Sequence, residues 1–168
     1  MPTLAGERVI LRQGTASDLP DLVSVFDHPE VSRWWPDEDE ATLSEKIEQR
    51  DDVEVWVIEV EGRAVGLIQA SEQTDPQYRH AGIDLAVHPD LHGRGLGPEV
   101  ISVLVGFLST GRGHHRVVID PNAANTRAVR AYTKVGFRPV GVMQRYEWDA
   151  HLGRWTDGVL MEWVSAEL

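Results

Sequence analysis

Residues 87–97 read Val-His-Pro-Asp-Leu-His-Gly-Arg-Gly-Leu-Gly and separate an apolar strand-like run from an apolar helix-like run. The glycines at positions 93, 95 and 97 let the backbone approach a ligand closely and adopt positive φ angles. The N–H groups of such a loop, together with the N-terminus of the helix that follows, can hold an anion. We interpret the loop as a phosphate cradle; the alternative is a glycine-rich surface turn.

The composition indicates one self-sufficient domain. A chain of 168 residues is long enough to bury a core without metals or disulfides, and we expect a single domain over residues 1–168. The absence of cysteine excludes a disulfide framework and a thiol nucleophile. No signal-peptide pattern and no apolar run near the ~20 residues of a membrane span are present. These features predict a cytoplasmic protein with no membrane partner.

The net charge is −11 and the isoelectric point is about 5.0. Such a surface repels phosphates, which argues against a nucleic-acid partner and favours a cationic one. The alternative is that the acidity serves solubility alone.

Hydrophobic periodicity predicts alternating strands and helices. Helices are expected from the capping-box pattern Thr15–Asp18 to Asp27, as a short turn between Pro29 and Pro36, and from Thr42 to about Arg50. Two more are expected, one after the glycine loop and one closed by Gly136. The expected strands are Glu7–Arg12, Val55–Val60, Arg63–Ala70, His80–Val87, Arg116–Asp120, Val140–Trp148 and Thr156–Trp163, with a charged loop at Glu72–Arg79.

This order fits an α/β (α+β) fold, a mixed central sheet of about seven strands covered by helices on both faces. Ligands of such sheets bind where neighbouring strands part at their C-terminal ends. We therefore expect the site between the ends of His80–Val87 and Arg116–Asp120, each of which runs into a loop and a helix.

Two aspartates lie at this expected site. In an alternating strand, Asp84 faces away from Ile83 and Leu85 and is flanked on its own face by Gly82 and Ala86, which leaves space for a ligand. The alternative for Asp84 is an edge-strand carboxylate in solvent. Asp120 ends its strand before Pro121, where the alternative is a turn residue.

Two motifs carry a resemblance to a known family. The loop lacks a Walker ending and the G-x-G-x-x-G spacing, but His92-x-x-Gly95-x-Gly97 resembles the pyrophosphate-binding loop of GCN5-related N-acetyltransferases (GNAT). The segment 125–137, with Asn125, Tyr132 and Gly136-Phe137, resembles their second signature. The resemblance implies a single-domain GNAT fold and acetyl-CoA as co-substrate. The coenzyme-binding residues that it implies are Ala86, Val87, His92, Gly93, Arg94, Gly95, Leu96, Gly97, Asn125 and Tyr132.

One position departs from the family pattern, which usually has Gln or Arg where this chain has His92. The side-chain donor role then falls to His92, to Arg94 or to the backbone alone. The resemblance also implies that Tyr132 protonates the departing thiolate; its alternative is a core aromatic on an amphipathic helix.

Further patterns resemble aminoglycoside 6′-N-acetyltransferases. They are Gly82-Ile-Asp84, Ile119-Asp-Pro121, the tail from Tyr146 to Trp163, and Arg33-Trp34-Trp35 followed by the acidic 37–40. This resemblance implies that Asp84 holds the 6′-amine and acts as base, that Asp120 faces the aminoglycoside, and that Trp34 and Trp35 belong to a substrate-binding loop. Core packing is the alternative for the tryptophans. The implied partner is a small cationic amine.

The sequence leaves two other interpretations of the function open. The acceptor could be another amine, such as a protein N-terminus, a polyamine or a siderophore lysine. The domain could bind acyl-CoA without catalysis. No metal site is predicted, because Pro89 and the glycine loop disrupt the helix that would align His88 with His92, and His114-His115 lacks nearby ligands. The sequence is compatible with a monomer or a dimer.

Overall fold

The fold is built on a mixed eight-stranded sheet. A computed structural model describes residues 1–49 and 52–166. The strand order across the sheet is β1-β2-β3-β4-β5-β6-β8-β7. The strands are β1 (Leu4–Ala5), β2 (Ile10–Arg12), β3 (Glu54–Val60), β4 (Arg63–Gln73), β5 (His80–Val87), β6 (Arg116–Ile119), β7 (Arg138–Asp149) and β8 (Arg154–Val164).

Helices cover both faces of the sheet, as predicted. They are α1 (Leu19–Phe26), α2 (Pro29–Ser32), α3 (Glu40–Ile47), α4 (Leu96–Gly106) and α5 (Thr126–Val135). One core cluster packs α1 and α3 against the sheet through residues such as Leu22, Phe26 and Leu43. A second cluster packs α4 and α5 against the other face, with Val100, Leu104 and Tyr132. Among the described residues, no helix is long and apolar enough to cross a membrane.

The eighth strand arises at the N-terminus, where one strand over Glu7–Arg12 was expected. A turn in which the Gly6 N–H donates to the Val9 carbonyl oxygen at 2.8 Å folds the chain back, so that β1 pairs with β2. The expected loop at Glu72–Arg79 is also shorter, because Glu72 and Gln73 extend β4 by pairing with Ala81 and His80.

Two helix starts differ from the sequence prediction. α3 is capped by Asp39, whose carboxylate accepts the Thr42 N–H at 2.8 Å, so Thr42 lies inside the helix. α3 ends at Ile47, and its expected end at Arg50 lies outside the described residues. The Thr15–Asp18 pattern opens a 3₁₀ turn, Ala16–Asp18, before α1 begins at Leu19.

Gly66 on β4 lets the end of β5 approach closely. Its φ is +157°, and a Cβ at this position would lie 2.0 Å from the Ala86 carbonyl oxygen. We expect Gly66→Ala to lower the free energy of unfolding by about 2 kcal/mol, measured by urea denaturation, because backbone must move to relieve the overlap. The control is Gly106→Ala, where a Cβ meets open space in α4 and slight stabilisation is expected. Wild-type stability of Gly66→Ala would contradict this packing.

Candidate functional site

The site begins where two parallel strands part. β5 and β6 pair only through Ala81 with Val117 and Gly82 with Val118. Beyond these pairs the strands diverge, so Asp84 on β5 and Asp120 just after β6 stand at the opening. Both aspartates thus lie between the two strand ends, where ligands of such sheets bind, and their role in the site stays a prediction.

The glycine loop and the segments around it form a cavity of about 150 Å³, the glycine-loop pocket. Gly93 and Gly95 adopt φ angles of +75° and +78°, and Gly95 is the N-cap of α4. The first N–H groups of a helix have no partner within it, so those of Leu96 and Gly97 are available to an anion. The lining includes Glu30, Trp34, Trp35, Ala86, Val87, His92, Gly93, Gly95, Gly97, Ile101, Asn125, Arg127, Ala128, Ala131 and Tyr132.

The side chain of His92 ties the loop to β5. Its Nε2 lies 3.0 Å from the Val87 carbonyl oxygen, and its buried Nδ1 has no hydrogen-bond partner among the described residues. Burial lowers the pKa of His92, and the nearby Arg127 guanidinium lowers it further. His92 therefore lines the pocket as a mostly neutral imidazole at neutral pH.

Two expected coenzyme residues do not line the pocket. The Leu96 side chain is buried in the core. Arg94 is exposed, and its carbonyl oxygen accepts a hydrogen bond from Arg8, which also pairs with Glu99 at 2.7 Å. Arg8 thereby fixes the outer side of the loop, and Leu96 retains only its backbone for a ligand.

The strand ladder decides which backbone groups of β5 face the opening. His88 donates to Val65 on β4 at 2.8 Å, so strand alternation turns the Ala86 N–H toward β4 and the Val87 N–H away from it. The Val87 carbonyl, which accepts from His92, points the same way. Val87 therefore presents an N–H group at the opening, and Ala86 lines the pocket without one.

Asn125 and Tyr132 reach the pocket from α5. The side-chain Oδ1 of Asn125 caps α5 by accepting the Ala128 N–H at 3.2 Å, and the side-chain amide nitrogen takes no part in that cap. Tyr132 is 6% exposed. Burial raises the pKa of Tyr132, and the charges of Asp84 and Asp120 raise it further, so the hydroxyl stays protonated at neutral pH.

Trp34 and Trp35 lie in the wall of the glycine-loop pocket. Trp35 packs edge-on against Phe26 with ring centroids 5.6 Å apart, and the Lys46 ammonium lies 4.8 Å from its ring centroid. Trp34 stacks with Arg33 and also borders a small cavity beside the β7–β8 hairpin tip. The structure does not bring these tryptophans into the cleft that Asp84 and Asp120 share.

That cleft, called the aspartate cleft, has a volume of about 550 Å³ and is lined by polar residues of β4 and β5. Asp84 is exposed to the cleft, but protein atoms surround its carboxylate and partly desolvate it. This burial raises the pKa of Asp84 to about 7, against the opposing effect of its 2.8 Å hydrogen bond from the Leu85 N–H. The lining comprises Val53, Gln69, Ser71, Glu72, Gln73, His80, Gly82, Ile83, Asp84, Val118, Asp120 and Leu160.

Tyr146 orients the second carboxylate of the cleft. Its hydroxyl donates a short hydrogen bond to Asp120, which raises the pKa of Tyr146 to about 12. An irregularity in β7 places Tyr146 there, because Arg145 has a φ of +51° and its N–H donates to Asp157 at 2.8 Å. Sequence reasoning missed this contact, since nothing in the local pattern indicates the irregularity.

A network of charges holds the far end of the aspartate cleft. Glu72 contacts Arg112 and the buried His114, and Arg112 also pairs with Glu54 at 2.8 Å. Although burial opposes ionisation, these hydrogen bonds lower the pKa of Glu72. Glu72 is therefore ionised in the lining of the cleft, where the Arg112 guanidinium balances its charge.

The comparisons with known proteins agree with the residue patterns. The acetyltransferase (GNAT) domain model matches residues 8–138. Aminoglycoside N(6′)-acetyltransferase type 1 of Klebsiella pneumoniae is 29% identical over 161 residues, which cover 84% of this chain and 79% of that protein.

Solved structures share the fold. RimJ of Mycobacterium smegmatis, in complex with CoA-disulfide, has a TM-score of 0.86 at 21% identity, covering 99% of this chain and 89% of that one. Spermidine N-acetyltransferase of Vibrio cholerae, in complex with CoA and spermine, has a TM-score of 0.79 at 20% identity, covering 95% and 97%.

Proposed function

Because the chain belongs to the acetyltransferase (GNAT) family, we propose that it transfers the acetyl group of acetyl-CoA to the 6′-amine of an aminoglycoside. The observation that carries the acceptor assignment is the aspartate cleft, which Asp84 and Asp120 line together next to the opening of the strands. The similarity to aminoglycoside N(6′)-acetyltransferase type 1 supports the same assignment.

The glycine-loop pocket fits the coenzyme of this family. The positive φ angles of Gly93 and Gly95 and the free N–H groups at the start of α4 suit a pyrophosphate. Apolar side chains such as Val87, Ile101 and Ala128 line the same pocket and suit the pantetheine arm. Bound there, the coenzyme supplies an acetyl group activated as a thioester.

The residues at the opening have the protonation states that the transfer needs. Asp84 accepts the proton that the amine loses as its nitrogen forms a bond to the acetyl carbon. The Val87 N–H stabilises the negative charge that develops on the acetyl oxygen. Tyr132, kept protonated by burial, donates its hydroxyl proton to the sulfur as the carbon–sulfur bond breaks. Asp120, oriented by Tyr146, binds a second ammonium group of the acceptor.

The charge of the molecule favours a polycationic acceptor. Asp84 and Asp120 line one cleft, and the whole chain carries a net charge of −11. Such a field concentrates polycations near the site. The same carboxylates would also suit a polyamine, and the spermidine N-acetyltransferase that shares the fold makes this the second candidate.

A panel of amines separates these candidates. Because the protein contains no cysteine, a thiol reagent reports only the CoA released by turnover. We expect an aminoglycoside with a 6′-amine to be acetylated with a higher kcat/KM than spermidine or an alanyl peptide. Turnover of spermidine or of the peptide alone would overturn the acceptor assignment. Coenzyme binding by calorimetry without turnover of any amine would indicate a non-catalytic module.

A further inference from the structure

An ion pair spans the glycine-loop pocket. The Glu30 carboxylate on α2 lies 2.7 Å from the Arg127 guanidinium on α5, and both residues line the pocket. The two side chains are 56% and 49% exposed. An ion pair this exposed contributes little to stability, so its position in the pocket calls for another explanation.

Arg127 lies in the first turn of α5, where a positively charged side chain is unfavourable. It is the second residue of α5, whose first turn contains no acidic side chain. The N-terminus of a helix carries partial positive charge, and a guanidinium added to it makes a strong site for an anion. The Glu30 carboxylate occupies this anion site by accepting a hydrogen bond from Arg127, although Glu30 lies on α2, 97 residues away in the chain.

A carboxylate such as that of Glu30 is also unfavourable in a pocket that binds the phosphates of a coenzyme, because like charges repel. The Glu30 carboxylate lies 3.9 Å from His92 Nδ1, beside the glycine loop. The hydrogen bond from Arg127 lowers the pKa of Glu30, so the carboxylate stays ionised at neutral pH. A carboxylate and a phosphate beside the same loop repel each other, and only one of them can pair fully with Arg127.

We propose that Arg127 binds a phosphate group of the coenzyme and that, in the coenzyme-free protein, the Glu30 carboxylate takes the place of that phosphate beside the Arg127 guanidinium. Coenzyme binding exchanges one anion for the other. The pocket of about 150 Å³ is smaller than the roughly 300–1,000 Å³ typical of ligand sites, and loss of the Glu30–Arg127 contact would leave it more open. The exchange removes the contact between Glu30 on α2 and Arg127 on α5, at a pocket wall to which Trp34 and Trp35 also contribute.

Calorimetry with CoA tests the exchange without any acceptor, so the result does not depend on the aminoglycoside assignment. We expect Arg127→Gln to weaken CoA binding about tenfold through loss of a charge-assisted hydrogen bond. Glu30→Gln should tighten binding severalfold, because the competing anion is gone, and the double variant should bind like Arg127→Gln. The control Arg63→Gln, which breaks the exposed pair with Asp21 away from the pocket, should bind CoA like the wild type.

Two further probes identify the phosphate. Pantetheine, which has no diphosphate, should bind the wild type and Arg127→Gln alike. If Arg127→Gln binds CoA and 3′-dephospho-CoA with equal affinity whereas the wild type prefers CoA, Arg127 binds the 3′-phosphate. If the variant keeps the preference of the wild type for CoA, Arg127 binds the diphosphate. Wild-type CoA affinity in Arg127→Gln would overturn the proposal. So would weaker CoA binding in Glu30→Gln, because the pair would then serve only to hold the pocket together.

Discussion

Asp84→Asn lowers kcat for the 6′-amino aminoglycoside by about 100-fold or more, the range expected for loss of a general base. The amide cannot accept the proton that the attacking amine must lose. Because Asp84 is reached from the aspartate cleft and not from the glycine-loop pocket, CoA binding by calorimetry stays within about twofold of wild type. The measurement is steady-state thiol release with saturating acetyl-CoA.

The pH dependence gives the same prediction an independent readout. A base must be ionised, and burial raises the pKa of Asp84 to about 7, so kcat/KM falls as the pH falls through about 7. We expect this acid limb to disappear from the residual activity of Asp84→Asn. The control is Asp75→Asn, on the exposed loop between β4 and β5. Near-normal turnover in Asp84→Asn, or an unchanged acid limb, would remove Asp84 from this role.

Tyr132→Phe lowers kcat by about 100-fold, because the departing thiolate loses its proton donor. The substitution removes only the hydroxyl from a side chain that packs in the core, so the thermal midpoint and CoA affinity change little. The acid limb near pH 7 remains, since Asp84 is intact. The raised pKa of Tyr132 predicts no alkaline limb from this group at neutral pH.

The matched control for Tyr132 is Tyr78→Phe, whose side chain is 69% exposed and belongs to neither cavity. It should turn over like the wild type. If Tyr132→Phe also keeps wild-type kcat, solvent or another group protonates the sulfur, and the hydroxyl is a packing feature.

Much of the central fold could be predicted because the signals are local. Strand alternation placed Asp84 on the face opposite Ile83, and the structure buries Ile83 while leaving Asp84 open to the cleft. The period of α4 predicted its buried side, including Val100, Ile101 and Leu104. The GNAT resemblance, which rested on two motifs in α4, α5 and their preceding loops, is confirmed by the domain model match.

What could not be predicted depends on pairings between distant segments. The hydrogen bond of Tyr146 to Asp120 needs the irregularity in β7 that Asp157 stabilises. The pair of Glu30 with Arg127 joins α2 to α5. Trp34 and Trp35 lie in the glycine-loop pocket because α2 is placed beside α4 and α5. The presence of two adjacent tryptophans in the sequence does not indicate that placement. The acceptor roles of Trp34 and Trp35 stay predictions.

The structure separates the predicted site residues into two cavities, which the sequence did not indicate. The glycine loop and α5 line the glycine-loop pocket, whereas Asp84 on β5 and Asp120 just after β6 line the aspartate cleft. Asp84 lines the aspartate cleft and Tyr132 lines the glycine-loop pocket. Burial raises the pKa of Tyr132, and the charge of Asp84 raises it further. The proposed roles of Asp84 as base and Tyr132 as acid fit this separation, because direct transfer from the thioester to an amine needs one group on each side of the reacting carbon.

The most direct test of the acceptor assignment compares two aminoglycosides that differ only in carrying a 6′-amine or a 6′-hydroxyl, with released CoA as the readout. The acceptor assignment predicts turnover of the 6′-amino compound and at least about 100-fold lower kcat/KM for the 6′-hydroxyl compound, whose oxygen is a far weaker nucleophile. Equal turnover of the two compounds, or turnover of neither beside rapid turnover of another amine, would contradict it.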